Sequence, residues 1–321
     1  MGRLFSVPYS MKIDTSSYMG LLSEYPDIHS VYMGLPILHN HLSLQHGRDV
    51  TNKRVYDFLE KSKGLYKRIV VYNSISYNTH DSEVFDFFDK EVNPLIEKYK
   101  IDGFVITSLP LAIKLRQDFP SIELHSSCNC FQWNTRQMDL WRELAGVNVF
   151  NPPREAAKTP SMLKEMAKEG FKLKVLVNEA CVYGCPYTIN HACSVAERTN
   201  NFIQCMSGDY ANALRTNLFL PEWMDTIDDY VYCYKLAGRE APYDFLKNIL
   251  DAYILQKPMT YIDEFATYGG GSVLTKLSNR GVRIKVSDIP EKTRYCEAKE
   301  CNKTCFICSN AMSKINSTWN G

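Results

Sequence analysis

The sequence contains no uninterrupted apolar run near the ~20 residues that a membrane-spanning helix needs. Its opening, MGRLFSVPYSMKID, has no long apolar stretch of the kind that forms a secretory leader, so the expectation is a cytoplasmic protein without a membrane partner. Gly2 followed by Ser6 fits the pattern for N-myristoylation, but Leu4 to Tyr9 reads better as a first strand. A charge excess is also missing. With 37 basic and 36 acidic residues, bulk electrostatics point to neither nucleic acid nor a lipid surface. No glycine-rich dinucleotide fingerprint follows the first strand, which argues against a doubly wound nucleotide fold; YGGGS at Tyr268 to Ser272 comes too late and precedes no convincing helix. H-E-x-x-H and G-x-S-x-G are absent, which removes the usual zinc and serine hydrolase signatures.

What is present is an alternation. Short apolar runs at LFSVPYS, HSVYMGL, KRIVVYNS, DGFVITS, SIELHSS, VNVFNPP, KLKVLVNEA and DYVYCYKLAGR are each followed by a stretch of helical character. Strand then helix, eight times, predicts a (β/α)8 TIM-type barrel over residues 1–258, with a cysteine-rich C-terminal extension over 259–321. The helix after the sixth strand is expected from Arg154 onward. In a barrel the chemistry sits at the carboxyl ends of the strands. The residues there are His125, Arg154, Asn178, Glu179, Cys181, Lys235 and Arg239. Arg154, Lys235 and Arg239 would hold an anionic substrate, and His125 or Glu179 would transfer a proton.

Eleven cysteines are many for a chain in a reducing compartment, where they point to metal or redox chemistry rather than disulfides. Cys181, Cys185, Cys193 and Cys205 follow the seventh strand. Their irregular spacing is neither a zinc ribbon nor the C-x-x-x-C-x-x-C of radical enzymes, and on a barrel rim it fits a [4Fe–4S] cluster better than structural zinc. Cys296, Cys301, Cys305 and Cys308 crowd a short polar segment. They read as a knuckle around one metal, either zinc or a second iron–sulfur cluster, or as further ligands shared with the first group across the mouth. Cys128 and Cys130 are too closely spaced to chelate one ion comfortably, and Cys233 reads as core. His39, His41 and His46 read as loop chemistry more than as a metal site.

Taken together, VNEACVYGCPY, GVNVFNPPREA, LHSSCNCFQWN and YKLAGRE followed by LDAYIL resemble, in order, elements of the collagenase-like U32 peptidase family. The resemblance runs from about Ile101 to Leu255. It implies a barrel-like core and, in some relatives, a [4Fe–4S] cluster held by four cysteines near the barrel mouth. Those relatives include the oxygen-independent hydroxylases of ubiquinone biosynthesis and of RNA; others have been called collagenases or proteases. Cys181 and Cys185 correspond to the family's turn cysteines, with three residues between them where the family has six. Cys193 matches the third ligand and Cys205 the variable fourth. Arg154 with Glu155, and Lys235 with Arg239, match without a gap; the tail cysteines lie outside the common pattern.

Three functions follow as expectations. The first is an iron–sulfur enzyme performing a hydroxylase-like modification of a small molecule, RNA or peptide. The second is a peptidase, for which Cys128 with His125 is the nearest nucleophile–base pair. The third is a non-catalytic metal-binding subunit that docks a protein partner.

Overall fold

Parallel strands buried on both faces are apolar throughout, and IVVY and GFVI have that character. The computed structural model describes residues 2–34, 48–75, 90, 92–197, 210–266, 273–279, 281–297 and 303–317. The chain runs β1 (Phe5–Pro8), α1 (Thr15–Leu22), β2 (Ile28–Gly34), α2 (Arg48–Lys61), β3 (Lys67–Tyr72), α3 (residues 92–97), β4 (Gly103–Ile106) and α4 (Leu109–Asp118). It continues through β5 (Glu123–Ser126), α5 (Thr135–Ala145), β6 (Val149–Phe150), α6 (Pro160–Lys168), β7 (Lys172–Leu176), α7 (Thr188–Glu197), β8 (Cys233–Lys235) and α8 (Tyr243–Tyr253). All neighbouring strands pair in parallel, and β8 returns to β1 to close the barrel. The expected (β/α)8 barrel is therefore the observed fold.

The sixth unit departs from the expected boundaries. Its strand is only two residues long, and its helix starts at Pro160 rather than at Arg154. Proline lacks the N–H that a helix interior needs but fits the first helical turn, where that donor is unpaired anyway. Residues before it form a short turn of 3-10 helix, Ala156–Lys158. Arg154 and Glu155 are thus left in the loop at the carboxyl end of β6 instead of being drawn into a helix.

The main core lies between the outward faces of the strands and the helix ring, with Phe104, Leu124, Leu163, Val175 and Leu250 fully buried there. The lumen is divided. Tyr32, Ile69, Val71 and Val105 form a separate apolar wall on β2 to β4. Across from it, the Lys174 Nζ lies 3.5 Å from both Ser6 Oγ and Ser30 Oγ and 3.4 Å from His125 Nδ1. Strand β7 neighbours neither β2 nor β5, so these contacts cross the barrel interior.

After α8 the chain forms α9 (Val273–Ser278) and α10 (Ile307–Ser317). Ile262, Phe265, Leu277, Ile284, Met312 and Ile315 join the same core cluster as the barrel helices. The Cys296 N–H donates to Lys158 O at 3.1 Å, and Arg215 Nη2 to Ser309 Oγ at 2.6 Å. The extension is therefore packed on the barrel around β6 and β7. Among the described residues, no helix is long and apolar enough to cross a membrane.

Candidate active site

The mouth is built from the last residue of each strand and the turn behind it. Asn151 follows β6. Its Nδ2 donates to Ser126 O at 2.6 Å, which turns its Oδ1 to accept from Lys235 Nζ at 3.3 Å. Lys235 ends β8 half-buried, with its ammonium 4.7 Å from the centroid of the Tyr32 ring. The Tyr32 hydroxyl is itself tied to Leu236 O at 2.8 Å. Gly238 then takes φ +144°, a conformation most side chains avoid. The bend brings the buried Arg239 guanidinium to 5.9 Å from the same ring. Asn178 locks the ends of β7 and β8 together, donating to Ala237 O at 2.9 Å and accepting from Ala237 N at 2.7 Å.

Arg154 enters from the β6 side. Its Nη2 donates to Asn129 Oδ1 at 3.1 Å, and its Nε lies 3.9 Å from Glu179 Oε2. Burial works against its charge, but Cys181, Cys128, Glu179 and Glu155 together raise its pKa above the ordinary arginine value. Lys235 behaves oppositely. Burial pulls it down to about 8, and Lys174, Arg239 and Arg154 add to the effect against the pull of Cys128. Arg239 is lowered by burial too. Three cations thus converge on one partly desolvated mouth, where a charge-assisted bond to an anion is stronger than on an open surface.

The CVYGC turn is fixed by a short antiparallel partner. Asn217 N donates to Cys181 O at 2.7 Å, Tyr183 N to Arg215 O at 2.7 Å, and Val182 bridges Thr216. Gly184 adopts φ +63°, and Thr188 then donates to Cys185 O to open α7. Cys181 is thereby brought within electrostatic reach of Arg154. The Cys181 N–H donates to Glu179 Oε1 at 3.3 Å. Cys185 and Cys193 are half-buried on the turn and on α7, and Cys205 lies outside the described residues. Among the described residues no three His, Cys, Asp or Glu side chains come together to hold a metal ion. As placed, the described thiols alone do not make up the four-sulfur set of a [4Fe–4S] cluster. Of the tail group, Cys296, Cys305 and Cys308 line one cavity of about 30 Å³ with Tyr183 and Arg215, while Cys301 lies outside the described residues. His39, His41, His46 and the Gly269 to Gly271 run also lie outside them.

The structure thus brings together Arg154, Glu179, Cys181, Lys235 and Arg239. His125 sits deeper in the barrel. It is 1% exposed, its Nε2 is 2.6 Å from Glu123 Oε1 and its Nδ1 faces Lys174. With Lys174 on one ring nitrogen and Glu123 on the other, neither nitrogen is left to activate Cys128. Burial and the Lys174 charge keep the ring neutral, so its Nε2–H donates to the carboxylate.

Sequence reasoning ranks Cys128 low, yet its thiol lies within electrostatic reach of Arg154, Lys235 and Arg239 alike. Its position just past the carboxyl end of β5 is the signal that could have found it. Asn151, just past β6, carries the same signal, whereas Tyr32 lies inside β2 and has none. His191 on α7 also feels Arg154 and Glu179, with burial lowering its pKa.

No family model matches the chain. An uncharacterized protease of Methanocaldococcus jannaschii is 28% identical over 98 residues, which is 27% of this chain and 30% of that protein's length. The match therefore spans less than a third of the curated relative. Among solved structures, a U32 peptidase superposes with a TM-score of 0.56 at 11% identity, covering 75% of this chain and 95% of that one. In fold the chain resembles a U32 peptidase, and over the matched segment its sequence resembles an uncharacterized protease.

Proposed function

We propose that this chain is an enzyme whose barrel mouth binds an anionic group of its substrate between Arg154 and Arg239, with Glu179 as the proton carrier. The convergence of Arg154, Lys235 and Arg239 at one end of the lumen carries the reading. Cations gathered at one partly desolvated mouth favour a carboxylate or phosphate, either free or projecting from an RNA or peptide. His125 is a positioning residue in this reading. The expected reaction class is the oxygen-independent, iron–sulfur-dependent hydroxylation implied by the family resemblance, in a cytoplasmic setting. A peptidase function rests on the names of the relatives, and a docking subunit without activity is the third arm of the test.

In a thermal-shift screen of small carboxylates and phosphates, at least one ligand is expected to stabilise the wild type. Saturation at a hundredfold excess over Kd is worth ~2.7 kcal/mol. Arg154→Met and Arg239→Met should keep the fold and weaken that ligand about 10- to 100-fold, the loss expected from one charged hydrogen-bond partner. Unchanged affinity in both variants would make the arginines scaffold and favour the docking subunit.

The proposed cluster ligands are Cys181, Cys185, Cys193 and Cys205. A second metal, either zinc or iron–sulfur, is proposed for Cys296, Cys301, Cys305 and Cys308. Support comes from the resemblance for the first set and, for the second, from the three tail thiols lining one cavity. When bound, such a cluster would supply one-electron chemistry at the rim. Metal and sulfide counts on anaerobically purified protein test both sets. The Cys181→Ala, Cys185→Ala double variant should lose iron, and truncation after Arg294 should lose only the second metal. Full metal content in both would remove the two sites.

A further inference from the structure

We infer that Lys235 is a nucleophile that forms an imine with the carbonyl carbon of a small oxo acid whose carboxylate is held by Arg154 and Arg239. The inference rests on the anion site proposed above and goes beyond it, because it assigns Lys235 a covalent role rather than a charge. Three observations support it.

Among the described residues the amine has no ion-pair partner: no carboxylate pairs with Lys235, its one hydrogen bond is to the neutral Asn151 Oδ1, and Glu179 is committed to Arg154. A lysine serving only as a structural charge would be expected to carry a carboxylate. The amine is also crowded by like charge in a half-buried position, the environment that gives enzymes a nucleophilic lysine. With its pKa at about 8, roughly a tenth of the side chain is the free amine at pH 7, against less than a thousandth for an ordinary lysine. Finally, the surroundings match the substrate class in parts. Arginines offer bidentate binding to a carboxylate. Tyr32, Ile69, Val71 and Val105 present an apolar wall rather than a polar one, the character a short carbon chain requires, and Lys235 stands 4.7 Å from the centroid of the Tyr32 ring in that wall.

The step balances without any co-reactant. The amine lone pair attacks the carbonyl carbon to form the C–N bond. One nitrogen proton passes to the former carbonyl oxygen to give the carbinolamine; the C–O bond then breaks as the nitrogen lone pair forms the C=N bond, and the hydroxide leaves with the second nitrogen proton as water, leaving the lysine imine. Asn151 Oδ1 accepts an N–H and aims the amine at the wall, which makes Asn151 a positioning residue.

The test uses the full chain with pyruvate and sodium borohydride, followed by peptide mapping by mass spectrometry. A single reduced adduct is expected on the peptide containing Lys235. Its rate of formation should rise through about pH 8, and the adduct should be absent from Lys235→Arg. Lactate, which has the carboxylate but no carbonyl, should slow trapping and itself raise the melting temperature of the wild type but not of Arg154→Met. Adducts scattered over surface lysines, or a rate that rises only near the pH of ordinary lysines, would overturn the assignment even if Lys235→Arg fails to fold. Stabilisation by lactate and pyruvate without trapping would overturn the imine and leave the anion site standing. Neither stabilisation nor trapping would remove both.

Discussion

Acidification from pH 7 to pH 4 is expected to lower the melting temperature of the wild type markedly, and His125→Gln is expected to flatten that dependence. His125 is buried and neutral, its pKa lowered to about 3 by burial and by Lys174. In the unfolded chain the same ring titrates near ~6.5. Between those values the unfolded state binds a proton that the native state refuses, so stability falls as pH falls across that window. Glu123 acts with the same sign. Burial opposes its charge, but His125 and Lys67 hold it below the usual carboxylate range, so its contribution is present above the unfolded pKa and lost in acid. At ~1.4 kcal/mol per unit, the His125 contribution alone reaches about 3 kcal/mol at pH 4. For a chain of this size that is on the order of 10 °C. The substituted glutamine amide could still donate to Glu123 and accept from Lys174 but would not titrate. The readout is thermal unfolding of both proteins at several pH values. Parallel slopes would mean that His125 is charged or hydrated in the native state, contrary to its place in the lumen.

Gly103→Ala should destabilise the protein by about 3 kcal/mol, at the upper end of the usual overpacking cost. Gly103 lies opposite Glu123 in the β4–β5 ladder. A Cβ there would run into the Glu123 carbonyl and come within 2.9 Å of the Glu123 Cβ. These are ladder atoms, so relief requires the two strands to part. Glu123 is also the residue that reaches Lys67 at 2.7 Å and His125 at 2.6 Å, so a shift is transmitted into the lumen. Gly20→Ala is the control. Gly20 is exposed on α1 with nothing within 4 Å of the new Cβ, and alanine there should stabilise by up to about 1 kcal/mol. Chemical denaturation of the two variants side by side decides the matter, and equal midpoints would contradict the close approach of β4 and β5.

The barrel was legible because its signal is repeated and local: eight buried runs, each followed by an amphipathic stretch. Arg154, Glu179, Lys235 and Arg239 were legible because the fold fixes which strand ends make the mouth. Depth within the lumen was not. His125 and Asn151 both stand at strand ends in the sequence, yet the stagger between strands puts the first beside Lys174 and the second beside Lys235. The pair Cys128 and Cys130 illustrates the same limit. A two-residue separation suggests a shared role, but the 3-10 turn sends them apart. Cys130 is half-buried and donates to Ile106 O at 3.3 Å, while the equally half-buried Cys128 lies in the field of the three cations. Turn conformation decides this, and spacing does not encode it.

The junction of β1 and β8 also constrains the order of assembly. Only two residue pairs join these strands, Phe5 with Tyr234 and Ser6 with Lys235. Beside them Arg3 clamps Asp228, 225 residues further along the chain. Every other ladder joins strands that follow one another in the chain, whereas this one must await nearly the whole polypeptide. The loop entropy of such a contact is not repaid by local structure, so its formation belongs late on the folding route. Lys235 is one of the residues in that last ladder. The amine therefore takes its place over Tyr32 only when the ring has closed, and a half-folded chain carries no reactive lysine at its mouth.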